Sequence, residues 1–384
     1  MWDLVVVGGG PAGSAAALRA AQLRPGARVL LLDKDDFPRD KACGDGIAAH
    51  ARDELALLGL PDVLDDYRPV RRLAVVSPGG ARVEATVARP NHVVPRKVFD
   101  ARLVEAARDR GVEVRRHRVR ALETRGGHVV LDGTVPARAV VAADGANSVM
   151  RRLIGVPPAA ARHVAIAVRG YADVPAGDET QFIAMQREGW PAYAWSFPVG
   201  DGTANVGYGM LLPNLRATGR PGRDVLHGRL ADLLPGLPAR DLRAHHLPLS
   251  TGRPIPGAGR VLLAGDAAGL INPLTGEGIY YAVLSGRLAA EAALQTPGTP
   301  LPAYRRALRA ALGRHLRTTD ALAFAARSPS FLDAAVTTAA RRPEVFDLLT
   351  EVGLGAGTVP LSVALAVTGH WVTAGRWRRG FSAT

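Results

Sequence analysis

Leu4-Val5-Val6-Val7-Gly8-Gly9-Gly10-Pro11-Ala12-Gly13 sets the architecture of this chain. An unbroken apolar run rich in β-branched residues reads as a parallel strand covered on both faces. Gly8, Gly10 and Gly13 then match G-x-G-x-x-G, and the following residues to Leu23, rich in Ala and Leu, read as a helix. The three glycines have separate tasks: a tight turn, close backbone approach to a pyrophosphate, and close packing of helix on strand. The helix start at Pro11-Ala12 presents the free N–H groups of its first turn, Pro11 itself having none, to phosphate. A second apolar run, Ala27 to Leu32, ends at Asp33, twenty positions after Gly13, with Lys34 beside it. A carboxylate at that distance can accept from a ribose hydroxyl. The βαβ unit predicts a bound dinucleotide, and by itself it fits NAD and FAD alike.

Two distant segments select FAD. Val140 to Ser148 reads as an apolar strand ending in Asp144-Gly145, with Arg151-Arg152 after it. Val261 to Ala268 is another strand, carrying Gly265-Asp266. It is followed by Asn272-Pro273-Leu274-Thr275-Gly276-Glu277-Gly278-Ile279 and an Ala-rich helix from Tyr280 to Leu294. The reading is that Asp266 accepts from the ribityl chain while the Gly276–Ile279 backbone opens a helix toward the flavin ring. The partial positive end of that helix would lie near flavin N1 and O2, where charge gathers on reduction.

These three fingerprints resemble the flavoprotein superfamily of the p-hydroxybenzoate hydroxylase fold. Within it, the chain is similar to the geranylgeranyl reductase family of FAD-dependent oxidoreductases. Lys41-Ala42-Cys43-Gly44-Asp45-Gly46 looks like the family's K-x-C-G-x-G segment, and Pro95 to Asp100 like the arginine-bearing stretch that meets the cofactor. Tyr193-Ala194-Trp195-Ser196-Phe197-Pro198 resembles its aromatic-x-W-x-F-P, and Pro273 to Ile279 lies within its long Gly-Asp segment. The likeness covers about the first 320 residues with specific motifs. It implies an α/β fold: a Rossmann-like FAD-binding domain, an antiparallel β-sheet substrate domain and a C-terminal helical region. It also implies that Lys41, Cys43, Gly44 and Arg96 join Gly8, Gly10, Pro11, Ala12, Gly13, Asp33, Lys34, Asp144, Gly145, Gly265, Asp266, Pro273, Gly276, Gly278 and Ile279 around the cofactor.

Several of these residues have a plainer reading. A lone cysteine such as Cys43 is commonly a small buried hydrophobe; the family motif instead sets it beside the flavin, as the one protein side chain considered for direct chemistry. Arg96 reads either as a surface arginine or as a cofactor contact. Tyr193, Trp195 and Phe197 alternate at period two and share one strand face, which suits core packing and the wall of a long apolar substrate channel equally. The ten histidines offer no H-x-x-x-H or H-E-x-x-H spacing, so no metal site is expected. No second G-x-G-x-x-G opens a helix, so NAD(P)H is expected only as a transient visitor, or another donor supplies electrons.

The FAD domain is expected to be discontinuous, over 1–70, 95–155 and 250–295. Segments 70–95 and 160–250 alternate short strands with Pro/Gly turns and are expected to form the substrate sheet; 300–384 is helical. Tyr304, Leu308, Leu312 and Leu316 recur at helical spacing, and Pro329 and Pro343 punctuate the rest. Val359 to Trp377, with the basic residues after it, reads either as a helix packed on the FAD domain or as an interfacial membrane contact.

Composition narrows the function. The 384 residues are 47% hydrophobic and 22% charged, enough to bury a large core, and the 43 glycines and 28 prolines form no repeat. A single cysteine excludes an intramolecular disulfide framework and an iron–sulfur cluster held by four thiolates of this chain. The net charge of +13 comes mostly from scattered arginines, with no zinc-finger spacing or dense basic tract, so nucleic acid is not an expected partner. With no basic leader and no run near the roughly 20 apolar residues that a span needs, the expectation is a cytoplasmic protein, with peripheral membrane association as its alternative. The resemblance implies reduction of C=C bonds in a prenyl lipid or quinone side chain by hydride from reduced flavin N5. The alternative is a flavin-dependent aromatic hydroxylase or halogenase acting on an aromatic scaffold. Halogenases carry W-x-W-x-I-P, from which Tyr193 and Phe197 depart.

Overall fold

Leu4–Val7 folds as the expected strand, and its neighbours explain its composition. It pairs in parallel with Val29–Asp33 on one side and Val140–Ala142 on the other, with Val5 opposite both Leu30 and Val140. Every residue of Leu4–Val7 and Val29–Asp33 is buried, in a core shared with helices and with the three-stranded sheet Leu122–Arg125, His128–Leu131, Val135–Ala137. The computed structural model describes residues 1–380, with side chains through Trp371.

The six-stranded sheet runs Gly257–Ala258, Val261–Leu263, Val140–Ala142, Leu4–Val7, Val29–Asp33, Glu113–Arg116. All its pairs are parallel except the first. The carboxyl ends of the five parallel strands therefore lie along one edge. That edge gathers Gly8–Gly10, Lys34, Ala143–Gly145 and Ala264–Asp266 from distant parts of the chain, as ligand sites of open α/β sheets require.

Close approach fixes this layer. A Cβ on Gly13 would lie 1.7 Å from the Gly8 carbonyl oxygen, and one on Gly286 would lie 2.0 Å from the Ala12 carbonyl. The helices Pro11–Leu23 and Ile279–Gln295 thus meet backbone to backbone, which only glycine permits.

The eight-stranded sheet runs Arg240–Pro248, Val164–Asp173, Thr203–Leu211, Ala192–Pro198, Thr180–Met185, Val70–Val76, Arg82–Val93, Gly46–Ile47. It is antiparallel apart from the Thr180–Met185 and Val70–Val76 pair, which is parallel. Tyr193 stands opposite Gly209 and Trp195 opposite Gly207. A Cβ on Gly207 would fall 2.2 Å from the Trp195 ring, so the indole occupies the space that a side chain there would need.

Four C-terminal helices follow: Leu301–Ala325, Pro329–Arg341, Pro343–Leu354 and Leu361–Gly380. Tyr304, Leu308 and Leu312 are buried, and the Tyr304 hydroxyl donates to the Leu263 carbonyl at 2.9 Å. Pro329 and Pro343 each open a helix, where the missing N–H is no loss. Val336, Val345 and Phe346 pack with Leu73, Val83 and Val87 of the large sheet. The last helix rests on Pro329–Arg341 rather than on the nucleotide-binding layer. There Val367 is buried, and the Trp371 indole N–H donates to Ser330 Oγ with its ring edge-on to Phe331. The basic cluster at Arg376–Arg379 lies outside the described side chains.

Candidate active site

One cavity of about 1000 Å³ runs from the glycine turn to the C-terminal helices. Of the residues expected around a cofactor, Gly8, Gly10, Pro11, Ala12, Asp33, Lys34, Lys41, Cys43, Gly44, Arg96, Asp144, Gly145, Gly265, Asp266, Pro273, Gly276, Gly278 and Ile279 all line it, as do Tyr193, Trp195 and Phe197. Gly13 is the exception: it faces the Gly8 carbonyl, and its role is packing rather than ligand contact.

The glycine turn is held by its own acid. Asp33 accepts the Gly9 N–H on Oδ2 at 2.7 Å and the Asp35 N–H on Oδ1 at 3.0 Å. Each oxygen keeps a lone pair for a further donor. Gly8, at φ +104°, passes so near Ala143 that a Cβ would meet its oxygen at 2.3 Å. Gly10 borders open space, with the Arg96 and Arg39 guanidiniums 3.6 and 3.8 Å from where its Cβ would lie. The helix starting at Pro11 has no side-chain cap, so its first N–H groups remain free. Two cations and a helix start around a gap that a Cβ would fill make a cradle for a pyrophosphate.

Arg96 is buried, and its Nε and Nη2 donate to Asp100 at 2.6 and 2.7 Å. Arg39 Nη1 adds a third bond to the same carboxylate at 3.1 Å. Burial opposes the Arg96 charge, but Asp100 more than restores it and raises the pKa. Asp144 is turned inward: it accepts the Ser148 hydroxyl and, at 3.0 Å, the Met150 N–H, holding the start of the helix Val149–Leu153. Lys34 is exposed at the rim and pairs with Asp35.

Asp266 meets Lys41 at 2.9 Å. Burial works against its ionisation, yet the Lys41 charge and His245 hold its carboxyl well below the usual range. Beyond it, Gly276 has φ +73°, and the Tyr193 hydroxyl donates to the Thr275 carbonyl at 2.5 Å, joining the large sheet to this loop. Glu277 accepts the Tyr280 N–H at 2.8 Å; burial raises its pKa to about 7, against the bonds from the helix N–H groups. Cys43 is half-buried, and desolvation pushes its thiol up, the opposite of what a ready nucleophile needs.

Further wall residues escape the sequence reading. Asp45, Asn205, Tyr171 and Arg169 form a polar joint behind the Lys41–Gly46 segment, and Asp40 pairs with Arg169. Asp45 and Glu277 stand inside the quoted motifs, but nothing in the spacing marks them as buried. The apolar end is lined by Ile183, Leu322, Leu332, Val336, Phe346 and Val363, on elements far apart in sequence.

Comparison with known proteins agrees with the cradle. The FAD binding domain family model matches residues 1–187. "Menaquinone reductase" of Mycolicibacterium smegmatis is 38% identical over 323 residues, covering 77% of this chain and 76% of the relative. "Digeranylgeranylglycerophospholipid reductase 1" of Methanopyrus kandleri is 34% identical, covering 77% and 80%. Among solved structures, a geranylgeranyl bacteriochlorophyll reductase-like protein of Thermoplasma acidophilum superposes with a TM-score of 0.78 at 22% identity over 95% of both chains. A flavin-dependent brominase superposes at 0.73 with 20% identity over 99% of both; at such identities these structures speak for the fold alone. With FAD as its cofactor and oxidoreduction as its class of reaction, the chain belongs to the geranylgeranyl reductase family of FAD-dependent oxidoreductases.

Proposed function

We propose that this enzyme reduces C=C bonds in the prenyl chain of a lipid or quinone. The observation that carries the reading is the continuity of the cavity, from the cradle at Gly8–Ala12 past Trp195 into an apolar chamber beneath the C-terminal helices. Relatives named as reductases of prenylated molecules support it over the oxygenating alternative.

Gly10, Arg39, Arg96 and the start of the helix Pro11–Leu23 would hold the pyrophosphate. Asp33, Lys41, Asp266 and the Gly276–Ile279 backbone would hold the rest of the cofactor. Bound and reduced, FAD would supply hydride to one alkene carbon, and water or a positioned acid would supply the proton to the other. An unactivated alkene offers no carbonyl to polarise, so the protein contributes mainly position and dryness. Tyr193, Trp195 and Phe197 would orient the chain at the cradle end, and Leu322, Phe346 and Val363 would exclude water from its far end. NAD(P)H or another donor would reach the flavin transiently. The exposed large hydrophobic side chains Phe324, Leu361 and Leu365 lie on helices that line the chamber. We take that face as a peripheral contact with the bilayer that stores such substrates.

The test is to reduce the FAD-loaded protein without oxygen and add a polyprenyl quinone or a geranylgeranyl lipid. The reading expects flavin reoxidation and a product that, after any quinol is reoxidised in air, stays heavier by one molecule of hydrogen in its prenyl chain. Turnover only in the presence of oxygen would replace it with a monooxygenase.

A further inference from the structure

Asp45 is fully buried where three parts of the molecule meet. Its backbone lies at φ +59°, a region that few non-glycine residues occupy. Its Oδ2 accepts the Tyr171 hydroxyl at 2.6 Å and the Asn205 amide at 2.8 Å, and its Oδ1 accepts the Arg96 N–H at 3.3 Å. Asn205, also fully buried, donates to the Cys43 carbonyl at 2.8 Å and accepts the Trp195 indole N–H at 2.9 Å. One carboxylate therefore joins the Lys41–Gly46 segment to two strands of the large sheet and to the aromatic wall.

We propose that Asp45 is a positioning residue: through Asn205 and Tyr171 it fixes the Trp195 ring and the Lys41–Gly46 segment against each other at the cavity wall. Its effect on turnover rests on the reductase reading; its effect on the joint does not. All three neighbours donate to Asp45, so its two oxygens tie them together, while neutralising it removes the cost of burying a charge.

The charged and titratable groups facing it are Arg96, Arg169, Tyr171, Cys43 and Tyr67. The two arginines are engaged elsewhere, Arg96 with Asp100 and Arg169 with Asp40. Burial consequently prevails over the hydrogen bonds of Tyr171 and Asn205 and over both positive charges, pushing Asp45 up to about 6. A group that binds its proton more tightly in the joined arrangement than in water stabilises that arrangement at low pH. The stabilisation is lost as pH rises from 3.8 through about 6.

The experiment is hydrogen exchange of the Lys41–Gly46 and Ala192–Pro198 segments in the FAD-loaded full chain, corrected for the intrinsic rate. Between pH 5 and pH 8, wild-type protection should fall about tenfold. Tyr171→Phe removes a bond that favours the carboxylate, so the fall should deepen and continue toward about pH 7. Asp45→Asn should show no fall, and more protection than wild type at the alkaline end. KM for a prenyl substrate should rise along the wild-type exchange profile, with kcat changing less. A flat wild-type exchange profile would overturn the proposal, as would a Tyr171→Phe profile that superposes on the wild type. An exchange profile as expected with a KM indifferent to pH would overturn the positioning role. If no prenyl substrate reoxidises the wild type, the reductase reading falls, and the exchange profile still decides the role of Asp45 in the joint.

Discussion

Asp100 shows what one side chain does here. It accepts three hydrogen bonds from Arg96 and Arg39 and is fully buried. Removing it would leave the Arg96 guanidinium charged and unpaired beside the cradle. Asp100→Ala should therefore cost about 3–5 kcal/mol in urea denaturation and weaken FAD retention; a loss under about 1 kcal/mol would mean that water reaches Arg96. Arg96 was legible from its motif, whereas its pairing with Asp100, four residues along a helix, was not drawn from the sequence. Nor was their burial legible, because it depends on the sheet edge beneath them. Asp33 was legible as the acid after the second strand, yet its hold on Gly9 belongs to three-dimensional closure of the turn. Asp45 was the least legible: its partners lie 126 and 160 positions away, on strands whose register no local pattern reveals.

At the level of elements, hydrophobic period and punctuation served well. The glycine turn, the helix after it and the proline-opened helices near the C-terminus follow from local rules. Pairing did not follow. The parallel contact of Val70–Val76 with Thr180–Met185 breaks an otherwise antiparallel sheet, and only the chain path between them explains it. Likewise the last helix settles on Pro329–Arg341 through Val367 and Trp371 while turning Leu361 and Leu365 outward. A helix apolar on both faces is normally buried. The proposed bilayer contact accounts for the outer face: replacing both leucines by serine should reduce flotation with anionic liposomes at least tenfold, since each buried leucine contributes about 1.5 kcal/mol or more. It should leave FAD content unchanged. Equal flotation of the two proteins would remove this helix from the contact.

Across the whole molecule, the cavity is assembled from residues between Val7 and Thr368, so its shape is a property of the complete chain. The cradle end rests on motifs and was anticipated from the sequence. The apolar end rests on side chains from the large sheet and the four C-terminal helices, none of which carries a motif. The central claim is that cofactor and prenyl chain share this one cavity, and Leu322→Trp tests it by filling the apolar end away from the cradle. The measurement is the anaerobic rate at which a polyprenyl substrate reoxidises the reduced flavin, in wild type and variant. The account predicts unchanged flavin content and absorbance, with the rate lowered at least about 100-fold, the scale of a lost near-attack geometry. Equal rates in the two proteins would place the substrate outside the chamber and contradict the account.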